Sequence, residues 1–576
     1  MPNHSAAGDV QGTDWQARGL LVAFLMIAAV AITAVSYIDE DAFISFRTVE
    51  NLINGYGLRW NVDERVQAFT NPLWVLLLIP LRLALGNVVV ASYLLSITAS
   101  TMALAIVAWP LRRAPLLFAL ALFMPLLLSR AFTDYTNAGF ENPMTFLCTA
   151  LFTVRFMRTD EPIPWRLLTA LSALLAVNRL DAVLLTAPAM LWLYVANFRE
   201  ARHRDILVGA LPLIGWLLFS VFYYGVPLPN TKYAKLDAGI RALEYYKFGA
   251  AYLLDIVRND AVTFAGLVGG VIVAGIGLIR WLKTREAVWA RLGSLALGVI
   301  VSSVYIVWIG GDFMAGRHWS SPFFLAVVLI AFAMHERGAV SQAPLLAYVS
   351  VMLGLKFAIE PLLMERDTIK LTAGDRQVIM RNRGIHDQRY NCSFYEALLA
   401  TRGGIDKHPW SQLGLDYKRQ AEKMKAVKPE ERFVIARGIA GKLPFHAGPD
   451  VVVIDVLALS DPLLARLPSV DRELVLIGHL ERHVPAGYLE ARRTGSLTQM
   501  DPALQLYYEK LRYITTGPLF EWERLVTIMR FHLGEYDEHL HAYLAGAYRE
   551  EVKQAQAQRD REKRDEAISR LFIGDG

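Results

Sequence analysis

Three adjacent carboxylates, Asp39, Glu40 and Asp41, directly follow the first long apolar run, residues 19–37. A carboxylate beside lipid is costly unless it meets a cation, a substrate or a basic partner. The loop is therefore read as one wall of a catalytic site at a membrane surface, with a plain polar stop to a helix as the alternative. Other polar segments supply a surplus of cations: Arg47, Arg179, Lys232, Lys235 and Arg317. Arg grips a phosphate through two parallel hydrogen bonds, and Lys binds it as a point charge. A carboxylate beside such a pocket can take the proton of a hydroxyl as general base. Together these groups describe transfer of a group from a lipid-linked phosphate to a hydroxyl, with basic residues stabilising the charge on the departing phosphate. Arg47 and Lys235 are also placed to snorkel to headgroups, whereas Arg317, preceded by Gly316 and Asp312, is assigned to the pocket. Arg179 and Asp181 lie between two short apolar runs and are expected to pair with each other. Glu141 reads either as a contact at a helix end or as a substrate ligand. Asn230, Asp312 and His318, in the same polar segments, complete the substrate-binding set.

The elements that must hold these residues are mostly apolar. The chain has 576 residues, 54% of them hydrophobic, and its mean hydropathy is +0.32. Nearly all long apolar runs fall in residues 1–363, while 364–576 has the composition of a soluble domain, so the expected architecture is a membrane domain followed by a soluble one. A net charge of +5 is small for this length and argues against a nucleic-acid partner. Cys148 lies in an apolar run and Cys392 in the soluble part, so no disulfide between them is expected. The first apolar run carries no cleavage signal and reads as a retained anchor.

Eleven apolar runs are candidate crossings: 19–37, 88–109, 115–129, 143–157, 166–177, 182–197, 206–224, 262–282, 290–309, 319–334 and 344–363. Basic residues cluster in alternate loops, at Arg112 and Arg113, Arg155 and Arg158, Arg199 to Arg204, Arg280 to Arg285, and Arg337. The positive-inside rule makes those loops and the N-terminus cytoplasmic, and the C-terminal domain extracytoplasmic. Residues 73–86 would invert this pattern if they crossed, so they are expected to lie on the outer leaflet. The loops 38–71, 136–143, 178–181, 229–235 and 310–317 then share the outer face. Their mixture of charge, amide, Gly and Pro suits backbone lining a cavity rather than facing lipid. Paired internal repeats, expected of a transporter, are not evident.

In the soluble part, Phe433–Ala436, Val451–Val456 and Leu474–Gly478 read as buried strands, alternating with helical stretches in a small α/β layer. Trp410, Tyr507, Tyr508, Tyr513 and Trp522 read as core or interface residues, with stacking on sugar rings as the functional alternative. His479 and His483 have the i, i+4 spacing of a helical zinc pair but no third ligand or adjoining Glu. Residues 549–571 read as a solvated, densely charged helix.

Several of these segments resemble a known family. Glu40–Arg47, Asn51–Asn61 and Thr70–Trp74 resemble the first outer loop of AftB-type arabinofuranosyltransferases, membrane glycosyltransferases of the GT-C class from mycobacterial-type cell walls. Ala138–Pro143, Pro229–Lys235 and Gly310–Arg317 look like that family's later motifs, and Asp455–Pro462 is similar to its soluble-domain signature. The resemblance spans residues 20 to about 490. It implies a polytopic α-helical GT-C membrane domain of about 11 transmembrane helices (residues 1–363) with an extracytoplasmic α/β domain (364–576) that could bind carbohydrate. It implies decaprenyl-phosphoryl-arabinofuranose as donor and a terminal arabinan hydroxyl as acceptor, joined by a β-1,2 linkage at the outer face of the plasma membrane during arabinogalactan and lipoarabinomannan assembly. By the same resemblance, Asp41 is the catalytic acid and Glu40 its partner, with Glu40 standing where relatives often carry Asp. If donor and product are both β-linked, configuration is retained, and Asp41 acts either as a nucleophile or by positioning donor or metal. No cofactor is required by the sequence, and a divalent metal remains compatible with it. A transferase for another polyprenyl-phosphate sugar, such as mannose, and a lipid-linked sugar transporter are the rival readings.

Overall fold

A computed structural model describes residues 5–110, 116–336, 343–359, 408–470 and 477–558, with the short segments 371–373, 376–378, 392–393 and residue 396. Within these residues the chain is mainly helical. Four helices are long and apolar enough to cross a membrane: α4 (Val88–Ala108), α10 (His203–Tyr224), α13 (Ala261–Thr284) and α14 (Ala287–Trp308). Chain order gives the helices between them as α1 (Ser5–Ala34), α2 (Ala42–Ile53), α3 (Pro72–Leu85), α5 (Leu116–Leu128), α6 (Arg130–Tyr135), α7 (Asn142–Met157), α8 (Trp165–Asn178), α9 (Ala187–Ala196), α11 (Asn230–Leu236) and α12 (Ala242–Asn259). Then come α15 (Ser320–Glu336) and α16 (Ala343–Gly354). The other apolar runs also fall mainly on helices, all shorter than these except α1. The run 182–197, for example, is divided into a 3₁₀ turn over Leu180–Leu185 and α9. Pro188 sits in the first turn of α9, where the missing N–H costs nothing.

The compact units do not divide at a single point near residue 363. One unit comprises residues 1–42, 70–216 and 242–406. The other comprises 43–69, 217–241 and 407–576, so two inter-helix segments fold with the C-terminal residues.

In the first unit, the short strand β1 (Tyr37–Ile38) pairs antiparallel with Cys392–Ser393. Its outer side also follows the loop before α7: Tyr37 N donates to Asn137 O and Asp39 N to Ala138 O, both at 3.2 Å. Helix α7 starts with Pro143 in its first turn. Cys148, buried in α7, is a free thiol. An amphipathic helix absent from the apolar-run pattern, α12, brings Tyr252 into the interior.

The second unit carries a parallel strand pair, Phe433–Arg437 beside Val451–Asp455, joined through the short helix Lys442–Ala447. Val451 to Asp455 are all buried, as a strand covered on both faces requires. The expected third strand, Leu474–Gly478, falls mostly outside the described residues. Chain order here continues as α17 (Pro409–Val427), α18 (Lys442–Ala447), α19 (Tyr488–Thr494), α20 (Pro502–Thr516), α21 (Trp522–His532) and α22 (Asp537–Ala545). Tyr507 and Tyr508 join Ile454, Leu464, Tyr488 and Tyr543 in one apolar core, and Trp410 packs on a second built around Trp60, Leu443 and Val453. These three aromatics are thus packing residues. Residues 547–558 are helical, and the rest of the charged tail lies outside the described residues.

Candidate active site

In the first unit the polar loops at the helix ends meet around one carboxylate. Glu141, wholly buried, precedes α7. Its Oε2 accepts from Asn71 Nδ2 at 2.8 Å, while its Oε1 accepts from Arg179 Nη1 at 3.1 Å and faces Arg317 Nη2 at 3.5 Å. Arg179 also binds Asp181 through two parallel bonds, Nε to Oδ1 at 3.0 Å and Nη2 to Oδ2 at 2.9 Å, which is the pairing expected from sequence. Arg317 lies 3.6 Å from Asp312 Oδ2 through Nη1, and its guanidinium stacks 4.0 Å from the centre of the Phe140 ring. His318 Nε2 stands 3.3 Å from Arg179 Nη2 and 3.5 Å from Asp312 Oδ2.

The local folding that aims these groups is legible. Gly316 has φ of +80°, and a Cβ there would lie 2.9 Å from Ala131 Cα, so only glycine allows the turn that presents Arg317. Tyr252 holds the same turn from α12: its hydroxyl donates to Met314 O at 3.0 Å and accepts from His318 N at 3.1 Å. Asn142 secures the other side, donating to Ser320 Oγ at 2.8 Å and to Arg317 O at 3.3 Å.

Burial and charge act against each other here. Burial raises the Glu141 carboxyl, but Arg317, Arg179 and the Asn71 hydrogen bond outweigh it and hold Glu141 below its usual range. Burial likewise raises Asp181, and Arg179 reverses that, bringing it down to about 2. For Arg317, burial opposes the charge while Glu141, Asp312 and Asp41 support it, with a net upward shift that keeps it cationic. Burial pushes His318 down to about 4 against the pull of Asp312, so its imidazole is neutral near pH 7.

Asn142, Arg179, Asp181, Tyr305, Arg317 and His318 line a cleft of about 440 Å³, counting the part open to solvent. Arg317 Nε and His318 Nδ1 are buried and lack hydrogen-bond partners among the described residues. A buried donor without a partner costs about 1–3 kcal/mol, so the Arg317 Nε–H favours an acceptor, while His318 Nδ1 donates or accepts according to its tautomer. Asp41, half-buried, is held by an Asx turn in which its N–H donates to Asp39 Oδ1 at 2.9 Å. Asp39 and Glu40 are buried. Among the described residues, no three His, Cys, Asp or Glu side chains are grouped to hold a metal ion.

Four of the expected ligands belong to the second unit, and three have clear tasks there. Arg47 is buried, with Nε donating to Trp60 O at 2.7 Å, Nη2 to Val451 O at 3.2 Å and Nη1 to Pro444 O. The Asn230 amide donates to the carbonyls of Ala458, Leu459 and Asp461 at 2.9–3.2 Å. Both satisfy backbone acceptors of the fold. Lys232 pairs with Asp237 at 2.7 Å and lies 4.8 Å from the centre of the Tyr233 ring. Lys235 runs past Gly478, where a Cβ would come within 3.3 Å of its Nζ. His479 and His483 are not on a helix, and His483 faces Glu551 at 3.3 Å.

Sequence reasoning missed Asn142 and Tyr252 as site residues, and did not single out Asn71. Asn71 and Asn142 stand inside the quoted motifs, each beside a proline that starts a helix, and that position was the available signal. Tyr252 lies mid-helix with no local mark.

The apolar spans and the charged cleft at helix ends define a helical membrane protein with a buried, ionic site. In sequence the chain is 27% identical over 332 residues to the Mycobacterium tuberculosis protein named terminal β-(1→2)-arabinofuranosyltransferase, an alignment covering 50% of this chain and 51% of that protein. It is 26% identical over 352 residues to the Corynebacterium glutamicum protein of the same name, covering 52% and 49%. The chain thus spans about half the length of the curated relatives it matches. No family model matches it, and no solved structure does.

Proposed function

We propose that this protein is a membrane glycosyltransferase that moves arabinofuranose from decaprenyl-phosphoryl-arabinofuranose to a terminal arabinan hydroxyl, forming a β-1,2 linkage in arabinogalactan and lipoarabinomannan assembly. The observation that carries the reading is the cleft in which Arg317 Nε and His318 Nδ1 lie buried without partners beside Arg179. The likeness to two arabinofuranosyltransferases supports the choice of sugar.

In this reading Arg317 and His318 hold the donor phosphate, with Glu141 and Asp312 fixing the Arg317 guanidinium. The bond between the anomeric carbon and the phosphate oxygen breaks, and a new bond forms to the acceptor hydroxyl. The hydroxyl proton passes to a carboxylate, and polyprenyl phosphate leaves with its charge met by Arg317. Asp41, with Glu40 beside it, is the carboxylate at the reacting carbon. If configuration is retained, Asp41 bonds to the anomeric carbon as polyprenyl phosphate leaves; the acceptor hydroxyl then bonds to that carbon as the Asp41 ester bond breaks, and Glu40 takes the hydroxyl proton. Lys232 is engaged with Asp237 in the other unit, where Arg47 and Asn230 act as braces of the fold. The eleven apolar runs then cross the plasma membrane with the N-terminus inside and the C-terminal residues outside, where the site meets the glycan.

The test is transfer by the reconstituted full chain from a synthetic decaprenyl-phosphoryl-arabinofuranose to an arabinan oligosaccharide. Asp41→Asn is expected to remain folded and lose transfer, and undiminished activity in that variant would remove Asp41 from the mechanism. Turnover of a mannosyl donor in place of the arabinosyl one would favour the alternative sugar. Product stereochemistry by NMR distinguishes nucleophile from base.

A further inference from the structure

In the second unit, the helix α21 is amphipathic in an unusual sense. Its inner side is packed: Arg524, Thr527 and Ile528 are buried. Its outer side is apolar as well. Trp522, Val526, Met529 and Leu533 follow the i, i+4, i+7, i+11 spacing of one helical face, and Phe520 stands just ahead. Phe520 is 88% exposed, Trp522 75%, Met529 55% and Leu533 77%. A contiguous exposed patch of this kind marks an interaction surface.

The position of the patch is tied to a membrane span. Arg524 donates from Nη1 to Phe222 O at 2.7 Å and from Nη2 to Tyr223 O at 3.0 Å, so it caps the last carbonyls of α10. Its Nε reaches Ile514 O at 2.8 Å. His532 Nε2 donates to Gly225 O at 2.8 Å. Gly225 has φ of +81°, and a Cβ there would lie 2.2 Å from Ile514 Cγ2, so the turn after α10 has no slack against α20. The Phe222 and Phe520 rings lie 5.4 Å apart, which makes the patch continuous with the end of the span. Helix α10 is itself the most open of the four spans. Only 11% of its apolar window is buried in the protein, against 39–56% for the others.

We propose that Phe520 and the Trp522–Val526–Met529–Leu533 face of α21 form a membrane-interface anchor, seated at the headgroup–acyl boundary where α10 leaves the bilayer. Aromatic side chains are favoured at that depth, and an apolar helix face lying in the interface plane buries there without crossing. The rim carries charges of both signs, with Glu523 and Arg530 on the same flank of the helix. Glu521 is held by the Tyr513 hydroxyl at 2.6 Å. The anchor sets the C-terminal unit at a defined height above the membrane, independently of what the first unit does chemically.

The full-length wild-type chain in phosphatidylcholine nanodiscs tests this directly. A fraction of the lipid carries a photoactivatable diazirine high on its acyl chain, and adducts are located by peptide mass spectrometry. Peptides covering Phe520–Leu533 are expected to be labelled as strongly as those of α10. The peptide containing Val427, which is 79% exposed elsewhere in the same unit, stays at background. Replacing Phe520 and Trp522 by Ser leaves the melting temperature unchanged and abolishes the α21 adducts while preserving those of α10. Labelling confined to α10 overturns the proposal, and so does a dimer in which protein–protein cross-links cover the α21 face.

Discussion

Arg179 and Arg317 converge on a single oxygen, Glu141 Oε1, at 3.1 and 3.5 Å. Two guanidinium groups at such range repel, and Glu141, Asp181 and Asp312 together make the arrangement stable. The arginines come from loops 138 residues apart in sequence (317 − 179), so their meeting is a property of the fold. Glu141 thereby acts as the support on which both cations are oriented, with Arg317 Nε left unpartnered among the described residues.

Glu141→Gln should therefore destabilise the protein although it changes no volume. The loss is expected to reach about 3 kcal/mol, the low end for breaking a buried pair, because Asp181 and Asp312 remain. Thermal unfolding in detergent measures it. A melting temperature equal to wild type would show that Glu141 does not carry the arginines.

Tyr252→Phe removes one hydroxyl that serves both Met314 O and the His318 N–H. A cost of about 1–3 kcal/mol is expected from the two groups left behind. If the turn bearing Arg317 is what the hydroxyl secures, the donor KM rises more than kcat falls. The reverse split would place the effect on the chemical step.

Stability should depend on pH through His318. Burial holds its folded-state pKa near 4, below the ordinary 6.5. The folded protein therefore binds this proton less tightly than the unfolded chain. The stability that results is present in full above about pH 6.5 and is lost as pH falls through about 4. Its size is on the order of 3 kcal/mol. His318→Gln should flatten that part of a melting-temperature profile taken from pH 7 to pH 4, and an unchanged slope would assign the dependence to other groups.

Arg492 organises the second unit much as Glu141 organises the first. Only 3% exposed, it binds Asp63 at 2.9 Å and Glu64 at 2.6 Å. Arg492→Met should cost about 3–5 kcal/mol by stranding buried carboxylates. Adding Asp63→Asn and Glu64→Gln should restore most of the loss. A triple variant no more stable than the single one would mean that packing of the arginine stem dominates.

Sequence alone went furthest where the physics is local. Apolar runs predict helices because a segment in lipid must satisfy its own backbone, and the runs are mainly helical where they are described, although the first ends in β1 and 182–197 is broken at Thr186. The pairing of Arg179 with Asp181 was legible because two residues of opposite charge stand two positions apart. The strands at 433 and 451 were legible from their β-branched runs. The helix α12 was not, because its apolar positions are interleaved with charges and make no continuous run.

The polar loop motifs, with Asp41, Glu141, Asp312, Arg317 and His318 among them, were visible in the chain as residues of the right chemistry. Which of them share a site was not. Arg47 and Lys232 have the same charge as Arg317, and nothing in composition separates a guanidinium that braces backbone carbonyls from one with a buried donor left over. That difference is set by long-range packing: Arg47 is enclosed by Pro444 and Val451, about 400 positions away, while Arg317 is turned into the cleft by Gly316, Tyr252 and Glu141. Hydrogen-bond inventories close only in three dimensions, so the tertiary structure decided which charges are spent on the fold and which remain for a ligand.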